Sequence, residues 1–477
     1  MKGWSFKKIL GLILGPFLFA MVYWQLVDLP GLSYEARAVL STALWMSTWW
    51  ISEAIPISAT SLLPIVLLPL SGGAPIASTT AAYGDKMLFL FLGGFVIAIG
   101  MQKWDLHKRI ALSIIEAIGT KTHMLILGFM IATALLSMWI SNTATTLLMI
   151  TIASALIDQT KNYLNASGLA FFKALLLSVA FAASIGGVAT LIGTPTNPIL
   201  AAIVMDTFGH EISFVSWLIF ALPFALVMLS ITWLFLTRII YKTHRIELPV
   251  GQKVVREELE AMGRMSPEEK RIAWVFGLTA LGWILRSFVL DIWLPGINDT
   301  TIAIAGALML FILPASGGKG PLLSWSEAEK LPWGIIILFG GGLSLASAFK
   351  SSGLAEWLGD QLVMAGGLPL ILLIIVVAVS VNFLTEITSN VATASIVLPI
   401  LASLSTLINV DPYLLMVPAT MAASCAFMLP VATAPNAIVF GTGHLSIKDM
   451  VRAGVLLNII STLLISLLAY LIVPYAL

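Results

Sequence analysis

The chain has 477 residues, 59% hydrophobic and 10% charged, with a mean hydropathy of +1.00 and a formal net charge of +1. A soluble domain carries roughly 25% charged residues to meet water, so a soluble fold is excluded, and the near-zero net charge supplies no field for holding nucleic acid. Stretches at 125–140, 221–236 and 456–474 lack Asp, Glu, Lys and Arg altogether. Several runs reach the ~20 apolar residues that cross a hydrocarbon core about 30 Å thick, which points to an all-α polytopic membrane protein.

The N-terminus carries Lys2, Lys7 and Lys8, then an apolar run from Ile9 to Val27 without a small-residue cleavage site, and is read as a retained first span. Spans follow near 9–28, 36–54, 57–71, 87–101, 173–206 (broken), 212–240, 272–290, 300–314, 332–349, 413–441 (broken) and 452–475. This gives about eleven transmembrane helices. The segments 122–158 and 367–408 are interrupted by polar residues near their middles and are expected to be re-entrant hairpins. With the N-terminus cytoplasmic, all 25 basic residues except Arg37, Lys86, Arg286 and Lys350 fall on the cytoplasmic side, as the positive-inside rule requires. The C-terminus is then extracytoplasmic, and the expected location is the plasma (inner) membrane. Segments 104–118 and 350–364 mix charge with apolar residues at helical spacing and are expected to lie along the interface.

Phe91-Leu92-Gly93-Gly94 is echoed by Phe339-Gly340-Gly341-Gly342, and Ser141-Asn142-Thr143 by Ser389-Asn390-Val391, both at an offset of 248 residues. Gly193-Thr194-Pro195-Thr196-Asn197 is echoed by Ala432-Thr433-Ala434-Pro435-Asn436 at an offset nine residues shorter. Five crossings separate the two Phe-Gly segments, so the repeats are inverted, an architecture of secondary transporters with sites near the midplane. The expected divisions are a first helix at 1–35, repeat 1 at 36–240, a cytoplasmic linker at 241–271 and repeat 2 at 272–477.

The prolines and glycine at 193–198, and the Ala-Pro-Asn at 434–436, interrupt two spans. Broken backbone at membrane depth is tolerated only when buried in protein or lining a cavity. Carbonyls freed at one half-helix end suit a hard cation such as Na⁺, and N–H groups at the other suit a carboxylate. Asn142, and Asn390 in the second hairpin, can present a carbonyl oxygen to a cation and an amide N–H₂ to an anion. Ser137 stands one turn before Ser141 on the same face, and Thr385, Thr388 and Ser389 precede Asn390 similarly. Small polar residues of this kind also serve as helix-packing groups. Glu386 is the ionisable group nearest either tip, with a functional and a structural role equally open. No Arg or Lys lies within a tip or break, so a bound dianion would depend on neutral donors, helix ends and bound cations. The single cysteine, Cys425, can form no intramolecular disulfide.

These features resemble the divalent anion/sodium symporter family. The resemblance is carried by the two Ser-Asn motifs and by the run SCAFMLPVATAPNAIV at 424–439, and it extends over nearly the whole chain. It implies a sodium-coupled symporter of C4-dicarboxylates such as succinate, malate and fumarate, working as a homodimer by an elevator motion. The alternatives are a sodium-independent dicarboxylate exchanger, or a citrate or sulfate carrier of the same family. It implies one Na⁺ site around Ser137, Ser141, Asn142 and Gly193, and a second around Thr385, Thr388, Asn390 and Ala432. Substrate carboxylates would meet Asn142, Thr143, Asn390 and Thr433. Scaffold parts would be 36–121 and 272–366, and transport parts 122–240 and 367–477. Val391 departs from the ideal second motif, which has a threonine there. An enzyme is disfavoured because His107, His123, His210, His244 and His444 form no metal-ligand spacing and no phosphate-binding loop is present. A channel is disfavoured because the two hairpins would meet inside one subunit.

Overall fold

A computed structural model describes residues 6–119, 121–160, 166–243, 251–318, 320–362 and 368–476. The expectations for residues 363–367, where the second interfacial segment ends and the second hairpin starts, lie outside these residues. Among the described residues the structure is helical, with one isolated β-bridge between Pro314 and Pro321.

Helix α1 (Phe6–Tyr23) packs on α2 (Tyr34–Ser52), and the hydroxyls of Tyr23 and Tyr34 lie 2.6 Å apart. The expected span 57–71 is two helices, α3 (Ile57–Thr60) and α4 (Leu63–Ser71). Pro64 supplies no N–H to continue the first helix and is suited to begin the second. Helix α5 (Ile76–Ala81) leads to α6 (Lys86–Lys103), whose N-terminus is capped by the Asp85 carboxylate accepting from Met87 N at 2.8 Å.

An amphipathic helix, α7 (Leu106–Ile118), follows at the position read as interfacial. The first hairpin is α8 (Thr122–Ser137) and α9 (Asn142–Thr160). The first broken span is α10 (Ala166–Val188) and α11 (Thr196–Phe208), followed by α12 (Phe214–Leu234). The expected linker holds α13 (Gly251–Ala261), whose Glu258 pairs with Lys108 of α7 at 3.0 Å.

The second half runs through α14 (Pro267–Leu285), the short α15 (Asp291–Trp293) and α16 (Asp299–Ile312). Next come α17 (Trp325–Ala328), α18 (Trp333–Ser351) and α19 (Leu354–Leu362). The second hairpin is α20 (Leu370–Thr385) and α21 (Asn390–Leu407). The second broken span is α22 (Tyr413–Ser424) and α23 (Ala434–Gly441), and α24 (Ile447–Ala476) closes the chain.

Among the described residues, eight helical segments are long and apolar enough to cross a membrane, and five apolar ones are shorter. Asn390–Leu407 is among the eight although it was read as a hairpin arm, while Thr122–Ser137 and Leu370–Thr385 are among the shorter ones. The two broken spans sit at the centre. Residues 174–183 of α10 have no exposed surface, and every residue of α22 is buried. Their neighbours approach closely where a side chain is missing. A Cβ on Gly186 of α10 would lie 2.3 Å from the Ala134 carbonyl of α8, and one on Gly454 of α24 would lie 2.2 Å from the Phe427 carbonyl. Close backbone approach at small residues is how helices associate in a medium as apolar as their side chains. The outer helices instead present large apolar groups, including Phe6, Ile13 and Phe17 of α1 and Trp274 of α14. Exposed apolar surface on this scale suits lipid, not water.

Candidate functional site

The tips of both hairpins and the breaks of both interrupted helices line one cavity of about 630 Å³. Ser141, Asn142 and Thr143 come from the first tip, and Gly193, Thr194 and Pro195 from the first break. Thr388, Ser389, Asn390 and Val391 come from the second tip, and Ala432 and Thr433 from the second break. Phe91, Phe95 and Trp50 complete the wall. Of the residues expected at the site, Ser137 and Thr385 do not reach the cavity. Both are fully buried behind it, where each contacts the asparagine of its own tip.

In the first half α8 stops at Ser137, and the turn is anchored by Trp139. Its ring stacks on Phe214 and Trp283 with centroids 5.7 and 6.1 Å away, and meets Phe276 edge-on at 5.0 Å. Because the helix ends there, Ser137 does not share a continuous helical face with Ser141; its hydroxyl contacts the Asn142 side-chain amide. The same end of that amide lies 3.2 Å from the Ala183 carbonyl and 3.3 Å from the Gly193 carbonyl. With nitrogen at that position, Asn142 donates to the oxygens around it. Turning the amide over would place its oxygen among three others, the Ser137 hydroxyl and the Ala183 and Gly193 carbonyls, a set of oxygen donors of the kind a hard cation takes. Glycine leaves the space for the Asn142 amide, since a Cβ on Gly187 would lie 2.5 Å from it and would have to displace it.

In the second half the Thr385 hydroxyl is 2.7 Å from Asn390 Oδ1 and 3.0 Å from the Ala423 carbonyl. A hydroxyl has one proton, so one of these two oxygen pairs is left without a hydrogen between them. Thr388 is engaged inside its own hairpin, with Leu384 O at 2.9 Å and Thr393 Oγ1 at 2.6 Å. Thr433 caps α23, accepting from Asn436 N at 3.2 Å. Its half-helix therefore begins at the cavity, with its N–H groups directed toward the cap.

The breaks are held open in matching ways. Asn197 donates its amide to the carbonyls of Val188 (3.2 Å) and Thr190 (2.7 Å). Asn436, 239 positions later, donates to Ala426 (3.2 Å) and Leu429 (3.0 Å). Each asparagine thus supplies side-chain donors to carbonyls that lie where the regular helical ladder stops. Glu386 is buried and accepts hydrogen bonds from the second break and from Asn458 of α24.

The sequence pattern missed five contributors. Lys7, Lys8 and Glu53 line the cavity at its exposed rim, far in sequence from either tip. The Ala183 carbonyl gave no signal, because a backbone atom has none. Asn458 is buried in a long apolar helix, and an intramembrane amide of that kind is a signal that could have been weighed.

The sodium:sulfate symporter transmembrane region matches residues 7–474 of the chain. The sodium-dependent dicarboxylate transporter SdcS of Staphylococcus aureus (strain NCTC 8325) is 47% identical over 487 aligned positions, covering 100% of this chain and 93% of that protein. Among solved structures, the YdaH transporter of Alcanivorax borkumensis is similar in fold, with a TM-score of 0.57 at 13% identity, covering 93% of this chain and 99% of that one. MtrF of Neisseria gonorrhoeae, from a class of antimetabolite efflux pumps, has a TM-score of 0.55 at 13% identity, covering 98% of this chain and 95% of its own. With both hairpin tips and both breaks on one cavity and a family match along nearly its whole length, the chain belongs to the sodium:sulfate symporter family of membrane transporters.

Proposed function

We propose that this protein is a sodium-coupled symporter of C4-dicarboxylates such as succinate, malate and fumarate. The observation that carries this reading is the convergence of two oxygen-lined asparagine clusters on one cavity with no basic residue in either tip or break. Ser137, Asn142 and the carbonyls of Ala183 and Gly193 would hold one Na⁺, with Ser141 beside them. Asn390, Thr385 and the Ala423 carbonyl would hold a second, with Thr388 and Ala432 nearby. Such oxygen ligands suit a hard cation. Asn142, Thr143, Asn390 and Thr433 would face the two carboxylates, at the start of the half-helix that Thr433 caps. Bound Na⁺ then offsets the charge of a dianion that no Arg or Lys of the tips or breaks neutralises.

The matched hydrogen bonds of Asn197 and Asn436, and of the two tips, support a repeat; in this reading the repeats are inverted, with about eleven crossings and two re-entrant hairpins. Residues 122–240 and 367–477 would move as the transport part against 36–121 and 272–366. A homodimer would give that scaffold a fixed base. Lys7 and Lys8 on the cavity rim fit a cavity open to the cytoplasm, with the N-terminus inside and the C-terminus outside.

The test is uptake of radiolabelled succinate into proteoliposomes under an imposed Na⁺ gradient, repeated with choline. Concentrative uptake that requires Na⁺ is expected. Uptake that ignores Na⁺ and requires only internal dicarboxylate would make the protein an exchanger. Competition by unlabelled citrate and sulfate fixes the substrate class.

A further inference from the structure

The two tips are tied to their breaks at equivalent positions by different chemistry. In the first half, the Thr190 hydroxyl donates to the Met138 carbonyl. Position 138 corresponds to 386 at the tip offset of 248, and 190 to 429 at the break offset of 239. In the second half, Leu429 N donates to Glu386 Oε2 at 2.9 Å and Met428 N to Oε1 at 2.9 Å. Asn458 completes the set, donating its amide to Oε1 at 2.6 Å while its own Oδ1 accepts from Phe427 N at 3.1 Å. Three consecutive backbone N–H groups of the second break are therefore satisfied through one carboxylate and one amide.

Glu386 is 2% exposed, and both of its oxygens face only N–H donors, an arrangement that a carboxylate satisfies fully. Hydrogen bonds to an ionised acceptor are roughly twice as strong as neutral ones. The neighbouring residue, Thr385, is the one that contacts Asn390 and the Ala423 carbonyl. We infer that Glu386 is the positioning residue of the second cation cluster: it fixes the unwound segment 425–433 against the second tip and sets the Na⁺ affinity there, so the two clusters bind Na⁺ unequally. This rests on the sodium-coupled reading above. The first cluster has only a neutral tie at the matching place and so lacks the added negative charge.

The experiment compares wild type with Glu386→Gln in proteoliposomes, measuring Na⁺ activation at saturating succinate and succinate KM at saturating Na⁺. Gln must turn an N–H₂ toward a backbone donor, so one bond is lost and the charge is removed. The expected result is a rise of about 10-fold or more in half-saturating Na⁺, larger than the fall in maximal rate, with a Hill coefficient moving toward one. An unchanged Na⁺ curve, or a fall in rate with unchanged half-saturation, overturns the inference. If Glu386→Gln fails to give a monodisperse protein, Asn458→Ala decides, since it leaves both backbone bonds to Glu386 in place. A smaller shift in the same direction supports the role, and an unaltered Na⁺ curve overturns it. Loss of Na⁺ response in wild type would instead sink the sodium-coupled reading itself, and it is seen before any variant is measured.

Discussion

The rings of Phe91 and Phe339 stack on each other, with centroids 6.5 Å apart and planes 15° apart. They are 248 positions apart, the same offset that relates the two Ser-Asn tips. Under the proposed inverted repeat, a residue touching its own counterpart is what a pseudo-two-fold axis between the repeats requires, as in any self-complementary interface. Both rings are nearly buried, and Phe91 also lines the cavity. Phe→Ala at either position is expected to cost about 3 kcal/mol. The double substitution is expected to cost less than the sum by about 0.5–1.5 kcal/mol, the part that belongs to the ring pair. Thermal denaturation in detergent, run as a double-mutant cycle, measures this. Strict additivity would mean that the rings are only neighbours.

Asn142→Ala removes the group that meets the Ser137 hydroxyl and the Ala183 and Gly193 carbonyls, and Asn390→Ala the group that meets the Thr385 hydroxyl. Each is expected to raise both half-saturating Na⁺ and succinate KM by about 10-fold or more, consistent with loss of a ligand shared by co-ion and substrate. Transport kinetics in proteoliposomes, varying one ligand at saturating levels of the other, separate the two effects. A variant that shifted KM alone would confine that residue to the substrate.

Gly187 tests the first cluster without touching a proposed ligand. A Cβ there would lie 2.5 Å from the Asn142 amide, closer than real Cβ contacts come, so Gly187→Ala must push Asn142 aside. Na⁺ affinity is expected to fall while the protein remains folded, because the clash meets one side chain instead of backbone. Gly193→Ala is expected to be worse, since its Cβ would lie 2.4 Å from the Gly187 carbonyl and must move the break itself. Na⁺-dependent thermal stabilisation reads both variants without needing transport. Equal Na⁺ stabilisation in wild type and Gly187→Ala would detach Asn142 from the cation.

Much of this arrangement was legible in the chain. The hairpin turns at 138–141 and 386–389 sit where polar residues interrupt apolar runs, and the breaks sit where Pro and Gly forbid a continuous helix. What was not legible depends on three dimensions. The split of 57–71 needed Pro64 to be read as a helix start. The Ala183 carbonyl is anonymous in sequence. Ser137 pairs with Asn142 and not along a helical face toward Ser141, because the helix ends at Ser137, four residues short of Ser141. The role of Glu386 turned on which N–H groups the fold brings to it.

Arg286 joins segments that are distant in sequence. Its guanidinium reaches both oxygens of Glu211 at 3.1 and 3.2 Å and Asp299 Oδ1 at 3.1 Å, while Asp299 Oδ2 accepts from Phe214 N at 2.8 Å. The Arg286 and Asp299 side chains are 8% and 6% exposed, whereas Glu211 is 34% exposed. Removing one member of a buried pair leaves the other charge without compensation, so Arg286→Met is expected to destabilise by about 3–5 kcal/mol. Asp299→Asn added to it removes the stranded charge but keeps an acceptor for Phe214 N, and is expected to restore a large part of the loss. Glu211→Gln leaves the buried pair intact and relaxes a partly solvated contact, so its cost is expected to stay within about 1 kcal/mol. Thermal midpoints in detergent order the three variants. If Arg286→Met were as stable as wild type, the buried network would add no net stability, and segment 206–214 would be held by Trp139 stacking on Phe214 and by Lys350 donating to the Asp206 carbonyl.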